Sequence, residues 1–154
     1  MLDCAQAAVL NVKLSHLSKW IEHRRGIAAL YHEGLQGISE LRLPHFDESA
    51  RRDVFQNYVI RVEARDRLRE HLTKHGVETL VHWPKPMWKH ERLGLLDPGL
   101  AETEKICREV ISLPMSAETT AEHVEIVVDC IRGFYQDANT SMRYRVAAAG
   151  RLVE

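Results

Sequence analysis

Gly76–His90, GVETLVHWPKPMWKH, opens with a glycine that ends a helix and runs through a short apolar strand at Val77–Val81. It then places His82, Trp83, Pro84, Lys85, Pro86, Met87, Trp88 and His90 in a loop stiffened by two prolines. Proline fixes φ and pushes the residue before it toward extended backbone, so Trp83 and Lys85 are expected to be extended. Loops at strand ends carry function because a rigid scaffold aims them. Aromatic faces to stack on, beside imidazole and ammonium groups that meet oxygens, suit a flat, partly anionic ligand. The other reading of the same composition is a tryptophan-anchored loop folded back on its own core.

Working outward, a strand at Val54–Val62 precedes an amphipathic helix at Arg65–His75 with Leu68 and Leu72 inward. Strand, helix and the second strand at Val77–Val81 predict a βαβ or split βαβ unit. Toward the N-terminus, Leu2–Leu35 reads as one helix on the order of 50 Å long, closed by Gly34 and Gly37. That length exceeds one face of a domain this size. Part of the helix is therefore expected to pack on something this chain does not contain, or on a second copy. Gly26 marks a bend or a close packing point. Toward the C-terminus the pattern predicts a helix at Leu100–Val110 and a strand at Ile111–Leu113. A last helix follows, capped by Thr119 or Thr120, with Val124, Val127, Val128, Ile131 and Phe134 as its stripe. The fold class is α/β in the two-layer α+β sense: a long helix, then a small sheet of about three strands covered by helices. Residues 1–136 form the domain, and 137–154 read as a loosely attached tail or as sequence outside it.

The chain has 154 residues, with 21 Lys plus Arg against 22 Asp plus Glu. That is one domain, able to bury roughly 70% of its unfolded surface without a staple. The dispersed, balanced charge leaves no nucleic-acid footprint. No apolar run reaches membrane-spanning length, and no secretory signal pattern is expected at the N-terminus. Cys4, Cys107 and Cys130 are odd in number and far apart, which predicts reduced, buried cysteines in a cytoplasmic protein. His71 with His75, and His16 with His23, have spacings that suit a helix face but no third ligand, so no metal site is assigned.

Four segments resemble, in order, the C-terminal domain of the DegT/DnrJ/EryC1/StrS family of sugar aminotransferases. They are Leu2-Asp3 with Gln6-Ala7-Ala8 and Lys13-Leu14; Trp20, Arg24, Ile27, Ala28 and Tyr31; Arg65-Asp66, Leu68, Leu72, Gly76-Val77 and His82-Trp83-Pro84-x-Pro86; and Leu113-Pro114-Met115 before Thr120–Val128. The resemblance implies a pyridoxal-phosphate-dependent transaminase acting on nucleotide sugars. It also implies that the cofactor lysine and the aspartate under the pyridine nitrogen lie in a large domain this chain lacks, with the Asn-x-Arg element falling before Met1. None of the six lysines stands in the family's serine-lysine setting. The chain alone is therefore expected to bind no cofactor and to carry no catalytic residue. By the same resemblance His82, Trp83 and Lys85 are the substrate-binding candidates. His82-Trp83 stands where the family more often has His-Tyr, so a phenol is exchanged for an indole donor. The partner is either a second copy or the missing large domain. The alternatives are a non-enzymatic dimerisation or docking module, and a nucleotide-sugar-binding protein.

Overall fold

A computed structural model describes residues 3–46 and 52–149, with side chains described up to residue 136. Helix α1 spans Cys4–Leu35, and Asp3 caps it by accepting from the Gln6 N–H at 2.7 Å. It leads into β1 (Leu41–Arg42), β2 (Tyr58–Val62), α2 (Arg65–Lys74), α3 (Ala101–Glu109), β3 (Val110–Leu113) and α4 (Ala121–Ala149). The sheet is antiparallel throughout, in the order β1-β2-β3, with Tyr58 opposite Leu113 and Ile60 opposite Ile111.

The strand count agrees with expectation, and the strand expected at Ile111–Leu113 is β3, but one of the other two is shorter than expected and one is replaced. Strand β2 begins at Tyr58, not Val54, because Phe55 takes a left-handed backbone (φ 49°). That conformation costs a non-glycine residue about 1–2 kcal/mol. Contacts of the Phe55 ring, stacked on Phe46 and tilted against Tyr58, offset it, and the Arg24 guanidinium donates to the Phe55 and Gln56 carbonyls. Val77–Val81 forms no full strand. It touches the sheet only through Leu80, which exchanges both backbone bonds with Ser112. The expected crossover unit is therefore absent, and the two-residue β1 takes the third place in the sheet.

One core joins α1, α2, α4 and the sheet. Ile27, Ala28, Tyr31 and Leu35 meet Tyr58, Ile60, Leu68, Leu72, Ile111, Val124, Val128 and Ile131. All four β3 positions are buried, so both faces of that strand are covered. In α4, Thr120 is the cap, accepting from the His123 N–H, and the predicted valine stripe faces the core. The helix runs past Gly133 to Ala149, further than its stripe suggests. Of the expected tail, residues 150–154 lie outside the described residues.

Helix α1 runs unbroken through Gly26, which is no close packing point, having nothing within 4 Å of its Cβ position. The close approach is at Gly34, whose Cβ would lie 2.8 Å from Val128 Cγ2. A β-branched neighbour has little freedom to move aside. Gly34→Ala is therefore expected to lower stability by about 1 kcal/mol, overpacking outweighing the gain in helix propensity. In a Val128→Ala background the same change should become neutral or stabilising. Urea unfolding of the four proteins in this cycle checks it.

The first half of α1 projects beyond this core. Val9, Leu10, Val12, Leu14, Leu17 and Trp20 are all exposed, and the buried α1 positions begin at Ile27. At 100° per residue these side chains spread over an arc of roughly 200°, slightly more than half of the helix circumference. An apolar arc that wide belongs to a helix covered on more than one side.

Candidate functional site

Two residues of the family-like pattern, Arg65 and Tyr31, reach the outer edge of β3, and Leu80 joins them there. Arg65 donates from Nη1 to the Val110 carbonyl at 3.3 Å, Leu80 pairs with Ser112, and Tyr31 Oη donates to the Pro114 carbonyl at 2.9 Å. Each satisfies a backbone group that a buried strand edge would otherwise leave without a partner. The edge is thereby closed and fixed, and the stretch that follows Leu80 is hung from it.

His82 sits at the root of that stretch. Its Nδ1 lies 3.3 Å from Ser112 Oγ, and Ser112 is buried. Beyond it, Trp83 is 74% exposed and Lys85 is also exposed, while Pro86 turns inward. Met87–Lys89 and Glu91–Leu93 are short 3-10 turns. Lys89 Nζ lies 2.7 Å from Glu104 Oε1 on α3. The Lys89 ammonium holds the Glu104 carboxyl below its ordinary range, with smaller contributions from Trp88 and Arg108. So the loop does not fold back on the core at Trp83, although half-buried Trp88 does turn inward.

A cleft of about 1120 Å³ opens beside the loop, between Gly76–Leu80, Leu113–Ser116 and the first turns of α4. Arg69, Thr73 and His123 contribute polar groups; Val77, Met115 and Ile126 contribute apolar ones. Leu80 and Ser112 belong to both the cleft and the root of the loop, but His82, Trp83 and Lys85 do not line the cleft. The three candidates thus share a loop, not a pocket. Sequence reasoning missed Ser112 and Glu104. The one signal for Ser112 was a lone hydroxyl inside the apolar run VISL.

A smaller cavity of about 340 Å³ is lined by Arg42, Arg61, Glu63, Glu109 and Tyr135, among others. Arg61 bonds both Glu102 and Glu109 there, an ion-pair cluster that ties β2 to α3. None of the six lysines lines either cavity. His75 Nδ1 is engaged with the His71 carbonyl at 2.8 Å. Among the described residues no group of three or more His, Cys, Asp or Glu side chains is placed to hold a metal. Nor is any helix among them long and apolar enough to cross a membrane. The cysteines are free, but only Cys107 is buried; Cys130 is half-buried, and Cys4 is exposed on the projecting part of α1.

Comparison with known proteins places the chain in a family. A model of the DegT/DnrJ/EryC1/StrS aminotransferase family matches residues 1–132. The chain belongs to that family. Among DegT/DnrJ/EryC1/StrS relatives, a pleiotropic regulatory protein of Geobacillus stearothermophilus is 37% identical over 88% of this chain and 37% of its own length. The dTDP-3-amino-3,4,6-trideoxy-alpha-D-glucose transaminase of Streptomyces venezuelae is 34% identical over 85% of this chain and 35% of its own. The crystal structure of S. venezuelae DesV with a ketimine intermediate superposes with a TM-score of 0.77 at 33% identity, covering 84% of this chain and 35% of that one. The mixed α/β fold is therefore the family's, and the chain spans little more than a third of the length of these relatives.

Proposed function

We propose that this chain is the substrate-facing small domain of a nucleotide-sugar aminotransferase and does not transaminate on its own. One observation carries the reading. A member of an aminotransferase family spans about a third of its relatives, and neither of the two cavities described above is lined by a lysine. Pyridoxal phosphate supplies the family's electron sink when bound, and needs a lysine, a partner for the pyridinium and a cup for the phosphate. Lys13, Lys19, Lys74, Lys85 and Lys89 are exposed, and half-buried Lys105 lies 3.9 Å from Glu109. The residues present do not fit the cofactor, and no step is assigned through it.

What this chain offers is one wall of a substrate site. The exposed Trp83 indole provides a face for a base or sugar ring, while His82 and Lys85 provide donors for phosphate oxygens. The dTDP- and UDP-sugar transaminases among the relatives support a nucleotide sugar as the ligand. The apolar projection of α1 supports a covering partner, either the larger domain or a second copy in a homodimer. The end of the family match at residue 132 supports a domain of residues 1–136 followed by an appended segment. Three unpaired cysteines fit a cytoplasmic setting.

Titration of the ¹⁵N-labelled chain with dTDP- and UDP-sugars tests the site. Amide shifts confined to residues 82–90 and Ser112 are expected, with weak affinity because one wall of the site is present. Unchanged spectra at millimolar ligand would remove His82, Trp83 and Lys85 as substrate residues. They would favour the second reading, a docking or dimerisation module whose working surface is α1.

A further inference from the structure

Side-chain bonds join the loop at 82–90 to the body of the domain at two places. One is His82 to Ser112 at its root. The other is Lys89 to Glu104 at its far end. Trp83 and Lys85 are presented between these two points. We infer that Glu104 is a positioning residue for the substrate loop: its carboxylate on α3 anchors Lys89 and so sets how Trp83 and Lys85 are offered to a ligand. This rests on the reading of that loop as the substrate wall.

The geometry suits the role. Helix α3 is a firm base, because it runs directly into β3 and its Glu109 is held by Arg61 from β2. The Glu104 side chain is 22% exposed, against 46% for Lys89, so the acid is the fixed member of the pair and the lysine the arm that reaches it. Arg108 Nη1 lies 3.6 Å from the other Glu104 oxygen, one turn along the helix, and steadies the carboxylate from behind. Lys89 also belongs to the 3-10 turn that starts after buried Pro86, with its N–H donating to the Pro86 carbonyl. Holding its ammonium therefore holds the turn, and through the turn the proline-stiffened segment that carries Trp83 and Lys85.

Hydrogen exchange of the full chain reads the anchor without any ligand. Glu104→Gln, Lys89→Met and the double variant form a cycle. Each single change is expected to speed exchange of amides 83–90 by about 2–5-fold, the range an ion pair of this exposure supports. The double variant should exchange no faster than either single one. Exchange in β3 and α2 should stay at the parent rate. Unchanged loop exchange in Glu104→Gln would overturn the proposal. So would additive effects in the double variant, since Glu104 would then act on α3 independently of Lys89. The same variants titrated with a dTDP-sugar separate this proposal from the one beneath it. If the parent chain shows no ligand shifts, the substrate reading falls, while the exchange cycle still decides whether Glu104 holds the loop.

Discussion

Tyr31→Ala is expected to cost about 3–5 kcal/mol, the range for removing a buried aromatic side chain. Tyr31 is fully buried where α1 crosses the sheet, with its ring stacked on Tyr58 at a centroid distance of 5.2 Å. Its hydroxyl closes the β3 edge at the Pro114 carbonyl. Burial pushes its pKa well above the ordinary value of 10, so it remains a protonated donor across the working pH range. The contribution splits cleanly. Tyr31→Phe keeps the stacked ring and loses one hydrogen bond, which costs about 0.5–1.5 kcal/mol. Tyr31→Ala also removes the ring and opens a cavity between α1 and β2. Urea unfolding of the two variants checks the ratio. Equal losses would mean that the ring contributes little and that the core is not organised around this crossing.

The second large effect is on association rather than stability. Leu10, Leu14 and Leu17 lie on one stripe of the projecting part of α1 and are exposed. The parent chain is expected to self-associate at micromolar concentration and to bind an apolar dye. Changing all three to Ser should give a monomer in sedimentation and remove most of the dye signal. Each change should move unfolding free energy by no more than about 0.5 kcal/mol, because these side chains touch nothing in the domain core. A parent chain that is already monomeric and silent to dye would show that the stripe is not a contact surface. A cooperative loss of the whole fold on substitution would show that the stripe belongs to the core after all.

The parts of the fold that were legible in the sequence are those written as periodic apolar patterns. Helix α1, the Leu68 and Leu72 face of α2, and the valine stripe of α4 all follow from three- and four-residue spacing. The excess length of α1 was legible as well, since a pattern that long outruns any single face. The strands were less so. Val54–Val62 alternates like a strand, yet Phe55 leaves extended backbone because Arg24, thirty-one residues earlier, holds its carbonyl. Val77–Val81 is as apolar and β-branched as a strand, yet only Leu80 pairs, because Arg65 and Tyr31 already occupy the carbonyls on either side of Ser112. Such decisions are made by distant partners and leave no local trace. The site shows the same division. The loop announced itself by composition, whereas Ser112 and Glu104, which hold its two ends, sit in unremarkable strand and helix sequence and are found only through space.

The measurement that bears most directly on the central claim is the addition of pyridoxal phosphate and an amino donor to the purified chain. The outcome is followed by absorbance, borohydride trapping and mass spectrometry. The expected outcome is no stable aldimine band, at most scattered trapping on exposed lysines, and no turnover. A single lysine trapped in high yield, with amino-donor turnover, would contradict it, for the chain would then contain a complete cofactor site.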